Sequence, residues 1–188
     1  MNQGYLRIHH LEPASRVNGP GVRAVIWLQG CSLGCPGCFN PETHTIHGGQ
    51  AYPVKKLAAW LRAEAGRING LTISGGEPLQ ELFPLRAFLE QIQVELTLPV
   101  ILFTGYAWDE IRKMPESESL LKLLDVVIAG RFILDQRIAN HMIGSTNKTV
   151  HFLTSAYQAA DFESIPSAEV IIGPVGDVRL SGIDPLNW

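Results

Sequence analysis

The sequence predicts an α/β protein whose core is an incomplete, open parallel β/α barrel. Three observations lead there. Short β-branched runs alternate with amphipathic runs, the pattern of parallel βαβ units. The chain has 188 residues, whereas a closed eight-fold barrel takes about 250. Glycine-bearing segments follow one strand run after another, where such folds place their chemistry.

Val22–Leu28 (VRAVIWL) is rich in β-branched and aromatic residues and reads as the first core strand. It runs directly into a loop that holds every cysteine of the chain. Val54–Ala65 places Val54, Leu57, Ala58, Leu61 and Ala65 at helical spacing, with Pro53 suited to a first helical turn. Leu71–Ser74 is a short strand ending in Gly75-Gly76. Phe83–Val94 is helical, with Leu85, Phe88, Leu89 and Ile92 on one face. Val100–Thr104 is a buried strand, Trp108–Met114 and Leu120–Leu124 are short helical pieces, and Asp125–Ala129 is another strand. Thr149–Leu153 and Val170–Ile172 follow as strands, and residues 173–177 form a turn into Val178–Ser181. No repeat or linker divides the chain, so residues 1–188 are expected to form a single domain.

Composition narrows the function. With 46% hydrophobic and 18% charged residues, the chain can bury a core. A net charge of −3 and no basic cluster argue against nucleic acid or an anionic membrane as partner. The N-terminal residues lack the apolar stretch of a signal peptide, and no apolar run approaches the ~20 residues of a membrane span. A cytoplasmic location is expected. An odd number of clustered cysteines is a poor disulfide framework.

The stretch Cys31-Ser32-Leu33-Gly34-Cys35-Pro36-Gly37-Cys38 raises the central chemical question. Burial as three small apolar side chains is a poor fit to a loop rich in glycine and proline. A structural zinc site wants four ligands, with His44 or His47 as the fourth, but zinc motifs more often use paired C-x2-C units. A four-iron cluster normally takes four thiolates, and three leave one iron open to a substrate or cofactor. Gly34 and Gly37 suit a loop that wraps a bulky cluster and aims backbone N–H groups at sulfur. The cluster reading is favoured.

Cys31-x3-Cys35-x2-Cys38, followed by Gly75-Gly76-Glu77-Pro78, resembles the radical S-adenosylmethionine superfamily. A closer resemblance is to the activating enzymes of anaerobic ribonucleotide reductase. It rests on residues 15–23 (SRVNGPGVR), Trp27–Cys31, Cys35–His44, Phe103-Thr104-Gly105-Tyr106 and Gly144–Lys148, in order over most of the chain. It departs at Ala129-Gly130-Arg131-Phe132, where those enzymes usually carry an acidic residue followed by Gly-Pro or Gly-Lys.

The resemblance implies a 4Fe-4S cluster held by Cys31, Cys35 and Cys38, with S-adenosylmethionine on the open iron. The cluster loop would follow the first core strand of a radical SAM type barrel. Gly37, Cys38, Phe39, Gly75, Gly76, Glu77 and Thr104 would border the cofactor: Gly37 and Phe39 beside the adenine, the glycine pair at the methionine moiety. Thr104 fits a ribose contact or a cap, and Glu77 fits an orienting role, an amino-group acceptor or an exposed acid before a helix. Arg131 and Ser145–Lys148 are further candidates for cofactor or partner contact, or plain surface. The implied activity is reductive cleavage of S-adenosylmethionine to a 5′-deoxyadenosyl radical, used to make a glycyl radical on a partner such as anaerobic ribonucleotide reductase. The implied electron donor is of flavodoxin or ferredoxin type. The alternatives are a small radical enzyme acting on a free metabolite, as in 7-carboxy-7-deazaguanine synthesis, and a noncatalytic metal-binding protein on the same scaffold. The intact cysteine and glycine motifs speak against the last.

Overall fold

The computed structural model describes residues 4–140, 142–173 and 175–183. In chain order the strands and helices are β1 (Tyr5–Ser15), β2 (Arg23–Leu28), β3 (Gln50–Pro53), α1 (Val54–Glu64), β4 (Gly70–Gly75), α2 (Leu82–Glu95), β5 (Val100–Thr104), α3 (Trp108–Ile111), α4 (Ser117–Leu121), β6 (Val126–Ala129), β7 (Arg137–Asn140), β8 (Ile143–Ser145), β9 (Thr149–Phe152), β10 (Ala168–Ile172) and β11 (Val178–Gly182). Seven strands form one sheet in the order β3-β1-β2-β4-β5-β6-β9. Its centre, β2-β4-β5-β6, is parallel, and β1, β3 and β9 pair antiparallel at its flanks. The architecture is mixed α/β around a parallel core.

Side-chain alternation divides the sheet into two faces. Ala24, Ile26, Leu28, Leu71, Ile73, Val100, Leu102, Val127 and Ala129 share a core with Leu57, Leu61, Leu85, Phe88, Leu89 and Ile92 of α1 and α2. Each Leu, Ile or Phe buried there contributes about 1.5–3 kcal/mol. Pro84 sits in the first turn of α2, where its missing N–H costs no helical bond. The opposite face carries Arg23, Trp27, Thr72, Ser74 and Phe103. Part of it is covered by a second cluster, in which Met142 and Phe162 meet Ile101, Val126 and Ile128.

The structure differs from the expectation in several elements: β3, β7 and β8 are additional strands and α3 ends at Ile111. β1 was not anticipated, because its apolar alternation breaks: Leu6 and Ile8 are buried, a register shift follows before His10, and Glu12 is then the inward residue. Thr149–Phe152 does form a strand, but it closes the sheet antiparallel to β6. The second short helix spans Ser117–Leu121, earlier than the Leu120–Leu124 expected from its leucines.

The parallel strands have one plugged end. Arg23, at the start of β2, has a relative exposure of 0%. Its guanidinium donates to Thr72 Oγ1 at 2.6 Å, Leu71 O at 2.5 Å, Pro99 O at 3.0 Å and Tyr157 Oη at 2.6 Å. The other end, where β2, β4, β5 and β6 all terminate, is built from glycine-bearing loops.

Candidate metal and cofactor site

The three cysteines lie on the loop leaving β2, each half-buried, and none is in a disulfide. Two positive-φ glycines shape that loop, Gly34 at φ 61° and Gly37 at φ 68°. The loop is tied back by backbone bonds: Gly30 N donates to Thr43 O at 2.8 Å, Cys31 N to His44 O at 3.2 Å and Cys38 N to Cys35 O at 3.2 Å. Among the described residues, no three His, Cys, Asp or Glu side chains converge in the way one metal ion requires. A four-iron cluster makes no such demand, since each thiolate binds a different iron and the ligands stand apart. The donor set fits a cluster: free thiols on one loop and no competing disulfide. Burial raises the thiol pKa of both Cys31 and Cys38, so these sulfurs hold their protons until a metal displaces them.

The Gly75-Gly76-Glu77 segment is bound tightly to this loop. Gly76 N donates to Leu28 O and Glu77 N to Gly30 O, each at 2.8 Å, continuing the β2–β4 ladder past both strands. A Cβ on Gly76 would stand 2.2 Å from Gly30 O, and one on Gly75, at φ 102°, would stand 2.4 Å from Leu28 N. Both glycines are therefore demanded by backbone packing beside the residue that precedes Cys31.

Glu77 is 1% exposed, so it is not a surface acid. Its Oε1 accepts from Leu79 N at 2.9 Å and Thr104 Oγ1 at 2.8 Å, and its Oε2 accepts from Gly105 N at 2.7 Å. One carboxylate thus caps the turn into α2 and fastens the end of β4 to the end of β5. Burial lifts its pKa above the ordinary carboxylate value, with the three hydrogen bonds opposing. The Thr104 hydroxyl is occupied by Glu77 and by Tyr106 N, which donates to it at 3.1 Å. Thr104 is a positioning residue in this geometry.

Gly37 and Phe39 face the segment after β6. A Cβ on Gly37 would lie 3.0 Å from Leu134 Cδ1. The Phe39 ring packs on Phe132, with centroids 4.5 Å apart, lies against Gly144, and has the Arg137 guanidinium 5.5 Å from its centroid. Arg131 pairs with Glu110 at 2.6 Å and covers the Tyr106 ring, with Cys35 near enough to act on its charge. His44 presents its carbonyl, rather than its ring, to the loop, and its Nε2 is buried without a partner. Trp108 stacks on His151.

Two residues that the motifs do not single out, Gln80 and Gln29, shape the site together with Lys148 of the 145–148 candidate run. Gln80 accepts from Ser32 N at 3.1 Å and donates to Ser32 Oγ at 2.6 Å, clamping the middle of the cysteine loop. Gln29, 3% exposed, donates to Glu42 O at 3.0 Å and Thr45 O at 2.8 Å and so holds the return of the loop. Lys148 donates to Gly130 O, and its ammonium feels Cys35, Glu77 and Cys38. Burial lowers its pKa, and those acidic groups raise it in return. Lys148 belongs to the 145–148 run that the sequence offers as a cofactor or partner contact, and the pairing of β9 with β6 brings it to the rim.

A loop of three free thiols at the end of a parallel strand, locked to a diglycine segment, defines an iron–sulfur protein. Residues 17–151 match the model of the 4Fe-4S single cluster domain family. The anaerobic ribonucleoside-triphosphate reductase-activating protein of Salmonella typhi is 32% identical, over 79% of this chain and 99% of its own. The protein of that name from Enterobacteria phage T4 is 34% identical, over 64% of this chain and 77% of its own. Among solved structures, QueE from Escherichia coli superposes with a TM-score of 0.40 at 20% identity, over 54% of this chain and 52% of that one. The chain belongs to the 4Fe-4S family of anaerobic ribonucleoside-triphosphate reductase-activating proteins.

Proposed function

We propose that the protein is a radical S-adenosylmethionine enzyme of the oxidoreductase class. Its task is to install a glycyl radical on an anaerobic ribonucleoside-triphosphate reductase, the enzyme named for its relatives. The observation that carries this reading is the cysteine loop zipped backbone-to-backbone to Gly75-Gly76-Glu77 in a chain of this family.

Cys31, Cys35 and Cys38 would hold the cluster, and Gly37, Phe39, Gly75, Gly76, Glu77 and Thr104 would border S-adenosylmethionine. The parallel core would serve as the open barrel of such enzymes, with residues 1–188 acting as one domain. The cluster would supply the electron for reductive cleavage of S-adenosylmethionine, the source of the radical that would take a glycine hydrogen atom. The chain's own residues position the site. Gln80 and Gln29 hold the loop, Glu77 fixes the spacing of β4 and β5, and Phe39 packs on Phe132 beside Cys38. Hydrogen-atom abstraction needs no protein acid or base, so Glu77 can be buried and committed to structure. A flavodoxin or ferredoxin type donor would supply the electron, and the setting would be cytoplasmic. Among the described residues no helix is long and apolar enough to cross a membrane.

The test is direct. Anaerobic reconstitution should give about four irons per chain, and reduced protein with S-adenosylmethionine and the reductase should give a glycyl-radical doublet by electron paramagnetic resonance. Replacing Cys31, Cys35 or Cys38 with Ala should remove the cluster completely while the apo chain unfolds within about 1 kcal/mol of wild type. If no reductase acquires the doublet while a small molecule stimulates 5′-deoxyadenosine formation, the substrate is a metabolite instead.

A further inference from the structure

Hairpin β10–β11 lies beyond the family match, which ends at residue 151. It is not a loose appendage. Glu169 on β10 accepts from Ser15 Oγ at 2.5 Å and Arg16 N at 2.9 Å. On β11, Ser181 Oγ accepts from Asn18 Nδ2 at 3.1 Å, and Arg179 donates to Glu12 Oε2 at 2.9 Å. Glu12 is 4% exposed, a carboxylate turned into the protein to meet that guanidinium. The contacts follow β1 from its turn end, at Ser15 and Asn18, towards the rim, since His10 beside Arg179 pairs with Trp27 just before the cysteine loop.

Between the hairpin and the sheet lies a cavity of ≈ 470 Å³. Trp27, Ser74 and Phe103 form its floor, Arg179–Ile183 its wall, and Phe39 and Asn40 its upper end, next to Cys38. The floor residues each sit just before a loop of the candidate site. The hairpin thus walls the sheet face that leads to the cysteine loop. Its fastening is unlike that of the core. The core is held by apolar burial, whereas the hairpin's ties to β1 are a few polar contacts, and its own outer residues Val170, Ile172 and Val178 remain exposed. Contacts of that kind are the ones that open at low free-energy cost, independently of the rest of the fold.

We propose that hairpin β10–β11 is a latched gate over the cavity. Latched through Glu169, Ser181 and Arg179, it leaves room for a small ligand and shields the cavity from bulk water. Released, it exposes the sheet face to a polypeptide segment of the partner. This inference rests on the function proposed above for what enters, but the latch itself is testable without it. Hydrogen exchange on the full-length, cluster-loaded protein should show the amides of 168–172 and 178–182 opening as a unit, at least about tenfold faster than those of β4, β5 and β6. Glu169→Ala should accelerate that unit several-fold further and leave β4–β6 and the iron content unchanged. Ser181→Ala, a milder change, should act in the same direction by a smaller factor. In the reduced protein with S-adenosylmethionine and no partner, Glu169→Ala should raise futile 5′-deoxyadenosine formation several-fold. Exchange of the hairpin in step with β4–β6, or unaltered by Glu169→Ala, would overturn the gate. So would faster exchange with unchanged futile turnover, which would make the hairpin a structural flap only. Absence of any cleavage by the wild-type protein alongside the expected exchange pattern would sink the proposed function and leave the latch standing.

Discussion

The two ends of the parallel strands solve opposite problems with opposite means. At the starting end, Arg23 reaches across β2, β4 and the approach to β5 and gathers three carbonyls and two hydroxyls around one buried cation. At the finishing end the spacing is set by the loops and not by one plugging side chain. The loops approach each other by backbone, through Gly75, Gly76 and Gly30, and leave three thiols half-exposed. The difference teaches that rigidity at the rim comes from close backbone contact and from one carboxylate, Glu77, so that side-chain volume there stays free for ligands. The plugged end is where stability is concentrated, and the rim is where binding has room.

The sharpest way to break this contrast is at the plug. Arg23→Met removes the donor for Leu71 O, Pro99 O, Thr72 and Tyr157 and leaves them in a dry site. Each orphaned buried group costs about 1–3 kcal/mol, so a loss of roughly 3 kcal/mol or more is expected. Urea unfolding of the apo protein measures it. Folded Arg23→Met protein should still take up a full complement of iron, because the rim is untouched; loss of iron uptake at equal folded fraction would show that the two ends are not separable.

Gly76→Ala attacks the rim in turn. The new methyl meets Gly30 O, a backbone atom that has no rotamer to yield. Overpacking of this kind costs about 1–3 kcal/mol. The displaced Gly30 precedes Cys31, so cluster loading should fall together with stability. A variant that keeps full iron but loses only S-adenosylmethionine affinity would instead place Gly76 in direct contact with the cofactor.

Legibility in the sequence divides along the same line. The parallel core was readable because residues 100–103 and 126–129 are uninterrupted apolar runs, and α1 and α2 carry clear helical spacing. The cysteine loop and diglycine were readable because their spacing is chemically restrictive. β1 was not, because its inward positions include Glu12 and its register shifts near His9. Arg23 and Gln80 were not, because a lone Arg in a strand and a Gln before a helix look like surface; both owe their roles to partners 48 or more residues away. The glycine pair was read as room for a cofactor, while the structure gives it a nearer reason in the Leu28–Gly30 backbone.

Glu77→Gln tests whether the carboxylate is the rim's fastener. Leu79 N, Gly105 N and Thr104 all donate to it. An amide would face one of those N–H groups with its own NH2, at a cost of about 1–3 kcal/mol. There is also a signature in pH. Burial raises the folded-state pKa of Glu77 above that of the unfolded chain. The folded protein therefore takes up this proton first as pH falls, and the group's contribution to stability rises between the folded pKa and the ordinary carboxylate range. Above the folded pKa that extra contribution is absent. Unfolding free energies measured from pH 7 down to 5 should show wild type gaining on Glu77→Gln; a gap that stays constant would mean that burial does not govern this carboxyl.

The smallest effect is expected at the outer edge of the rim. Arg131 follows β6 and was a sequence-level candidate for a cofactor carboxylate. In the structure its guanidinium is taken by Glu110 and by the Tyr106 face, and both members of the pair are exposed to solvent. Water and salt screen such a pair, so Arg131→Gln should leave the unfolding midpoint unmoved, in low salt or high. With the guanidinium held by Glu110, S-adenosylmethionine affinity should change by less than about twofold, as befits an exposed ion pair. Equilibrium binding of the cofactor to cluster-loaded wild type and variant decides the matter. A large loss of affinity would mean that Arg131 abandons Glu110 when the cofactor arrives, and the rim would then owe part of its binding to a side chain that swings in rather than to the backbone and carboxylate framework alone.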